Sequence, residues 1–552
     1  GLRVPAGRVL AGLARADVTG LAAALCAAEA AGLADWAVAT AAEHARTRYQ
    51  FGRPIGQFQA VKHRCAQMLA LAEEAAAAAW GAARAFAPGD AGADDARAER
   101  DFAAAAAAVV ALDAAVQCTH ECIQVLGGMG YTWEHDAHLY YRRALSLRAL
   151  LGPSDRWARR AARLGLAGAR RAAGVDLPPG AEPLRAEIRG ALAAIAERPA
   201  ADRAAALAAG GWVMPHLPRP WGREASPLEQ LVIAEELRRA GLRPPALLIG
   251  AWVVPALAGH GSAAQQQRFL PPTLRGEITW CQLFSEPGAG SDLAGLTTRA
   301  ERVAADGEAG GGWRLTGQKI WTSLAKEADW AICVARTDPA SRRHAGISYF
   351  LVDLRSPGVT VRPLREMTGD ALFNEVFLDG VLVPDDLVVG EVGHGWRVAR
   401  STLANERVSL SASWTFGCGA DELLEALRGL DEETRRDRLG EAGRLVSEGH
   451  AIDLLGLRVT LKQLSGTEPG ATGSVRKLVG MRHAQAVAEL CWSMQGAEGA
   501  LTGNRPGGGP DWSRSVLLTR ALTIGGGTTD IQLNIIGERI LGLPRDPDPP
   551  EG

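Results

Sequence analysis

The alternation of apolar and polar positions divides the chain into long helical stretches on either side of a run of short strands. The most apolar stretch, Phe102 to Leu112, is mostly alanine and is closed by Asp113. It falls short of the roughly 20 residues that a membrane span needs and predicts a helix buried in a bundle. Ser226-Pro227-Leu228-Glu229 spells a helix start, with an N-cap, a first-turn proline and a capping-box glutamate, and the helix runs through Glu235-Glu236-Leu237. From Ile278 the pattern shortens. Ile278 to Phe284, Trp313 to Leu315, Trp330 to Val334, Ile347 to Val352 and Val376 to Leu378 read as strands punctuated by glycine, proline and aspartate, as in a small antiparallel β-domain. After Gly390 helical patterning returns until the Asp-Pro-rich tail.

The chain also repeats itself. Val4-Pro5 followed by Val9-Leu10-Ala11-Gly12 parallels Val383-Pro384 followed by Val388-Val389-Gly390, and a long helical region follows each. The first copy starts at the tail of a β-domain and continues through a helical domain to about residue 172, whereas the second is complete. A Pro- and Gly-rich stretch from Ala172 to Pro183 separates them as a linker. The truncated first copy and the start at Gly1 suggest that further residues precede it in the native protein.

Composition narrows the classes. A length of 552 residues with 47% apolar content supports several domains. A net charge of -2 gives no positive field for nucleic acid, and no Lys/Arg block replaces it. The eight cysteines lack paired spacing, which fits a reducing cytoplasm. Cys118 and Cys122 flank His120 at helical spacing, but a metal needs more ligands than these, so they read as packing residues and no metal is expected.

Two segments carry chemistry. Ser285-Glu286-Pro287-Gly288-Ala289-Gly290-Ser291-Asp292 offers glycines that let backbone amides approach a flat, electron-poor ring. Gly317-Gln318-Lys319-Ile320-Trp321-Thr322-Ser323 offers a tryptophan to stack on such a ring and hydroxyls to hydrogen-bond it. In this order the segments resemble the flavin-binding core of the acyl-CoA dehydrogenases. Trp280 to Pro287, Phe373-Asn374-Glu375-Val376-Phe377 and Leu403 to Val408 carry a resemblance to fused, two-copy members of actinobacterial type, related to the heteromeric enzymes that shorten steroid side chains.

The resemblance implies a mainly α protein with a small antiparallel β-domain: the helical, β-barrel-like, helical-bundle order of that family, preceded by an extra C-terminal-type bundle. The expected segments are residues 1–172 (degenerate first-copy bundle), 173–183 (linker), 184–275 (N-terminal-type helical domain), 276–390 (β-domain) and 391–545 (C-terminal-type bundle). It implies FAD, with its ring against Gln282, Phe284, Ser285, Gly290, Ser291, Trp321 and Ser323.

The family's Arg-x-x-Phe-Gly and Gln-x-x-Gly-Gly-x-Gly segments, which hold the adenine and pyrophosphate, match only the first copy. They read Arg48-Tyr49-Gln50-Phe51-Gly52 and Gln124-Val125-Leu126-Gly127-Gly128-Met129-Gly130. A guanidinium that forks to phosphate, the Phe51 wedge, the Gln124 amide and close approach at Gly128 suit that task. The second copy has lost both segments, reading Glu432 to Gly440 and Ser493-Met494-Gln495-Gly496-Ala497-Glu498-Gly499. One FAD per chain is therefore expected across an intramolecular pseudo-dimer, with Thr528 and Asp530 also among its ligands.

Desaturation needs a carboxylate to remove the α-hydrogen of the thioester. Many relatives carry it in a Tyr-Glu-Gly-Thr segment, but here Gly525-Gly526-Gly527-Thr528 places Gly526 at that position. A second subset carries the base in a Leu-x-x-Glu-Arg pattern, matched by Leu403-Ala404-Asn405-Glu406-Arg407. Glu406 is thus the expected base, activated by burial, and the Gly526 amide the expected donor to the thioester carbonyl. The first copy supplies no base. The missing side chain at Gly526 widens the pocket for a bulky acyl group such as a steroid side chain. An electron-transfer flavoprotein as acceptor, no nucleic acid, no membrane span and a homodimer of fused chains complete the expectation. The alternatives are an oxidase or flavin monooxygenase of the same fold, and a non-catalytic scaffold.

Overall fold

The computed structural model describes residues 15–87, 93–170, 179–304, 311–341, 343–412, 417–464, 472–500 and 510–547. The start of the first copy, Val4 to Gly12, and most of the linker lie outside them. The chain opens with α1 (Arg15–Thr47), a two-stranded ribbon of β1 (Tyr49–Gln50) and β2 (Arg53–Pro54), α2 (Gln59–Ala85), α3 (Ala93–Leu126), the single turn α4 (Gly128–Tyr131), α5 (Ala137–Leu151) and α6 (Ser154–Leu166). There follow α7 (Glu182–Ala196), α8 (Ala200–Ala209), α9 (Pro227–Arg239), α10 (Gly250–His260) and α11 (Ala263–Leu274). The strands are β3 (Trp280–Leu283), β4 (Arg299–Val303), β5 (Gly312–Ser323), β6 (Trp330–Arg336), β7 (Ile347–Asp353), β8 (Val359–Leu364), β9 (Phe373–Pro384) and β10 (Val388–Val389). The last helices are α12 (Gly395–Ala412), α13 (Ala420–Arg428), α14 (Glu432–Leu464), α15 (Thr472–Ser493), α16 (Trp512–Thr519) and α17 (Thr529–Ile535).

The chain folds into two units. The first joins residues 1–175 with most of the chain after residue 410, so the helices that end each copy share one body. Its core interleaves Ala34, Ala41, Cys65 and Met68 of the first copy with Leu454, Leu478, Leu533 and Ile536 of the second. Helix α3 is buried on every side over Phe102 to Ala108, as a bundle centre built of small residues requires. Its stretch Asp95–Leu126, and Val18–Thr47 of α1, are long and apolar enough to cross a membrane, which corrects the shorter span read from the sequence. The shorter reading stopped at Asp113, whereas α3 continues to Leu126, and 78% of its most apolar window is buried inside the protein.

Small residues set how closely the copies approach. A Cβ built on Gly443 of α14 would lie 1.9 Å from the Ala158 carbonyl of α6, and one on Gly81 of α2 would lie 2.3 Å from Leu454. Ion pairs surround this seam. Arg170 reaches Asp421 and Asp453, Arg458 lies 3.1 Å from Glu73, and the fully buried Lys62 lies 2.8 Å from Glu538.

The second unit holds residues 176–410. Helices α7 and α9 close a small core around Leu192, Val232 and Ile233, and Ser226 and Glu229 form the expected reciprocal cap. The strands form one sheet in the order β10-β7-β6-β4-β5-β9-β8, with β3 pairing β6. Pairing is antiparallel except for β3 alongside β6 and one β4–β6 bridge, so the sheet is mixed rather than wholly antiparallel. Strand β7 is buried from Ile347 to Val352, and helices α10 and α11 pack on this core through Val253, Val254, Phe269 and Leu270.

Gly443→Ala should push α14 from α6 and lower stability by about 1–3 kcal/mol through overpacking. Urea unfolding checks this, and an unchanged midpoint would show that the seam accommodates the methyl group.

Candidate active site

The two motif segments are tied together by a buried ion pair. Lys319, fully buried on β5, donates to Glu286 Oε1 at 2.8 Å and to the carbonyls of Phe284 and Val334 at 3.1 and 2.9 Å. Glu286 accepts in turn from the Thr297 amide and hydroxyl at 2.6 and 2.7 Å and from the Thr298 amide at 2.9 Å. Burial opposes its ionisation, but the Lys319 charge and these donors outweigh that penalty and pull its carboxyl down to about 2. The Ile320 amide adds a bond to the Ser285 carbonyl at 2.9 Å.

Pairing of β5 with β9 shifts between Lys319 and Thr322, and within that bulge Trp321 adopts φ 60°. A left-handed tryptophan is costly and points to function. The residue is 56% exposed, and its ring is braced edge-on by Phe373 at 6.1 Å. A Cβ on Gly288 or Gly290 would meet nothing within 4 Å, so internal packing does not demand glycine there. The open space, the exposed indole and the neighbouring Ser291 and Ser323 suit a flat ring with polar edges. Phe284 is different: its side chain is buried against Tyr349, leaving only its backbone for a ligand.

Helix α12 brings Glu406 to the same unit. A Cβ on Gly395 would lie 2.5 Å from the backbone of Ser348 and Tyr349, so the helix starts directly on β7. Val398, Thr402 and Glu406 follow at helical spacing and are all buried, and Thr402 meets the Tyr349 hydroxyl at 3.1 Å. Glu406 is only 9% exposed and accepts from Gln282 Nε2 at 3.2 Å. The Trp252 indole, which can only donate, holds Gln282 Oε1 at 2.8 Å and so fixes the amide with its nitrogen towards Glu406. Gln282, expected at the flavin, thus directs its side chain to the carboxylate. The Arg407 side chain lies outside the described residues.

In the other unit, Arg48 and Gln124 are exposed at the ends of α1 and α3, which short connections run in the same direction. Phe51 adopts φ 54° in the ribbon turn and is 92% exposed. Gly127 and Gly128 have open space where a Cβ would stand. The start of α2 lies at this end too, and its His63 meets Asn534 at 2.9 Å and Asp530 at 3.6 Å, which places α17 of the second copy beside the first-copy ribbon. Thr528 caps α17 by accepting from the Ile531 amide at 3.3 Å, and Asp530 remains largely exposed. Gly526 has φ 61° and its carbonyl faces the Lys477 ammonium, a residue the sequence pattern did not single out.

No cluster of His, Cys, Asp or Glu fit for a metal occurs among the described residues. Burial pushes the Cys118 and Cys122 thiols up to about 12, which keeps them protonated packing groups.

Family models match most of the chain: the acyl-CoA dehydrogenase C-terminal domain twice, at residues 17–165 and 393–541, the middle domain at 281–381 and the N-terminal domain at 182–277. The acyl-CoA dehydrogenase FadE34 of Mycobacterium tuberculosis is 51% identical over 96% of this chain and 71% of its own length. IpdE1 of Mycolicibacterium smegmatis, also an acyl-CoA dehydrogenase, is 39% identical over 62% of this chain and 86% of its own. Among solved structures, the Tcur3481-Tcur3483 steroid ACAD aligns with a TM-score of 0.54 at 27% identity, covering 67% of this chain and 99% of that one. The ChsE4-ChsE5 complex from Mycobacterium tuberculosis aligns with a TM-score of 0.53 at 30% identity, covering 68% and 100%.

Lys319→Met should cost about 3–5 kcal/mol, the penalty for leaving one partner of a buried pair alone. Because the folded-state pKa of Glu286 lies below its ordinary 4.5, its contribution is complete above that pH and is lost as pH falls towards 2. Glu286→Gln should flatten that acid limb. Urea midpoints between about pH 6 and about pH 3 read both effects, and wild-type-like profiles would remove the pair from the fold's support.

Proposed function

We infer, for a chain that belongs to the acyl-CoA dehydrogenase family, that it desaturates a bulky acyl-CoA thioester between the α and β carbons, with Glu406 as the base. An oxidoreductase acting on CH–CH groups with FAD as cofactor follows from the membership itself. FAD supplies the acceptor for the β-hydride. In this reading the ring is held by Ser285, Gly290, Ser291, Trp321 and Ser323, with the backbone of Gln282 and Phe284. Arg48, Phe51, Gln124, Gly128, Thr528 and Asp530 hold the adenosine diphosphate portion. The five-segment division of the chain and the absence of a base in the first copy belong to the same proposal.

Glu406 takes the α-proton, and Gln282 aims its carboxylate. The Gly526 amide donates to the thioester oxygen as negative charge gathers there. The observation that carries this reading is the buried Glu406, presented on the sheet-facing side of α12 and held by the Trp252–Gln282 pair. Glycine at position 526 leaves side-chain volume free, which supports a wide acyl group. The steroid designation of the Tcur3481-Tcur3483 enzyme supports a steroid side-chain thioester. An electron-transfer flavoprotein as acceptor and a homodimer of fused chains complete the proposal.

Anaerobic bleaching of the flavin by butyryl-, octanoyl- and palmitoyl-CoA and by a sterol side-chain acyl-CoA tests the substrate class, and a preference for butyryl-CoA would overturn the bulky-acyl reading. Glu406→Gln should remain yellow and lose at least about 100-fold in reduction rate, as expected when a general base is removed. Near-normal reduction would refute the assignment. Arg48→Ala should weaken FAD retention by about 10- to 100-fold, the worth of a charged phosphate contact. Unchanged retention would strike Arg48 from the cofactor's ligands.

A further inference from the structure

Lys477 lies on α15 and is only 1% exposed. A buried ammonium persists only where acceptors replace its water. Here three successive carbonyls do so: those of Gly525 at 2.7 Å, Gly526, and Gly527 at 2.9 Å. Gln532, fully buried on α17, adds its Nε2 to the Gly526 and Gly527 carbonyls at 3.1 and 3.3 Å. The three carbonyls converge on one cation outside any α-helix, on a backbone that takes left-handed conformations at Gly526 and Gly527, with φ 61° and 91°.

The amides follow from this arrangement. In a planar trans peptide, a C=O and the next residue's N–H point in opposite directions. Drawing the carbonyls of 525, 526 and 527 towards Lys477 therefore turns the amides of Gly526, Gly527 and Thr528 away from it. None of those three amides has an acceptor among the described residues, whereas the Gly525 amide is spent on the Ala521 carbonyl at 2.9 Å. Each peptide is also polarised by the cation at its oxygen, which makes its N–H a stronger donor.

We propose that Lys477 is a positioning residue for the desaturation: by clamping the 525–527 carbonyls, it presents the Gly526 amide to the thioester oxygen. The proposal rests on the reading of Gly526 as that donor. The clamp itself does not.

Lys477→Met keeps the aliphatic reach and deletes the charge. Hydrogen exchange by mass spectrometry should show the bonded amides that flank the loop, those of Gly525, Ile531 and Gln532, exchanging at least about tenfold faster, with α2 and the rest of α15 unchanged. Anaerobic flavin reduction, read with the panel acyl-CoA that bleaches wild type fastest, should slow by about 10- to 100-fold. The dissociation constant for that acyl-CoA should move by less than about threefold, because carbonyl polarisation counts mainly in the transition state. If Lys477→Met does not fold, Lys477→Gln, which retains a donor, is read in the same way.

Wild-type exchange at Gly525, Ile531 and Gln532 overturns the clamp. Faster exchange with an unchanged reduction rate overturns the positioning role. If no acyl-CoA reduces the wild-type flavin, the reading of the reaction fails, and the exchange measurement still decides the clamp.

Discussion

The Lys319–Glu286 pair is the constraint on which the geometry of the two β-domain motif segments depends. Each residue lies in one of the two motif segments, and neither segment has another charged anchor of comparable burial. Lys319 satisfies two backbone carbonyls besides its partner, and Glu286 gathers three donors from the Thr297–Thr298 corner. The charges are therefore exchanged for a dense set of directed bonds, the condition under which a buried pair organises structure instead of straining it. The loop of Gly288 and Gly290 and the bulge of Trp321 can then remain open, because their geometry is set from beneath.

Helical periodicity does comparable work for Glu406. The helix begins with no side chain at Gly395, where β7 leaves no room for one, and each turn thereafter buries another residue of the same face. The carboxylate ends up hidden not by an apolar sleeve alone but by an ordered relay from Trp252 through Gln282. A donor-only indole at the far end decides which way the amide in the middle must face.

Much of this was written in the sequence, and the remainder was obscured for physical reasons. The Ser226 cap and the five strand cores could be read locally, since each depends on near neighbours. Strand β4 escaped because its polar, largely exposed residues show little apolar alternation, and β8 because its alternation of Val359 and Val361 with polar residues is cut short at Pro363. The parallel alignment of β3 with β6 escaped because a hydrophobic pattern records burial and not direction. Lys319, Lys477 and Glu286 escaped for a common reason: a charge in a sequence reads as solvent-facing, and only long-range folding reveals the carbonyls and carboxylates that replace water. The bond from Gln282 to Glu406 escaped because it joins residues 124 positions apart in the chain.

The joining of both terminal bundles in one body alters how their pairing can evolve and behave. Subunits encoded separately come apart on dilution, whereas segments of one polypeptide meet at an effective concentration that the solution cannot change. In a symmetric homodimer every substitution also strikes both partners at once. Covalent fusion lifts that symmetry, so the seam at Gly443 and Gly81 can stay tight while the surfaces away from it diverge independently.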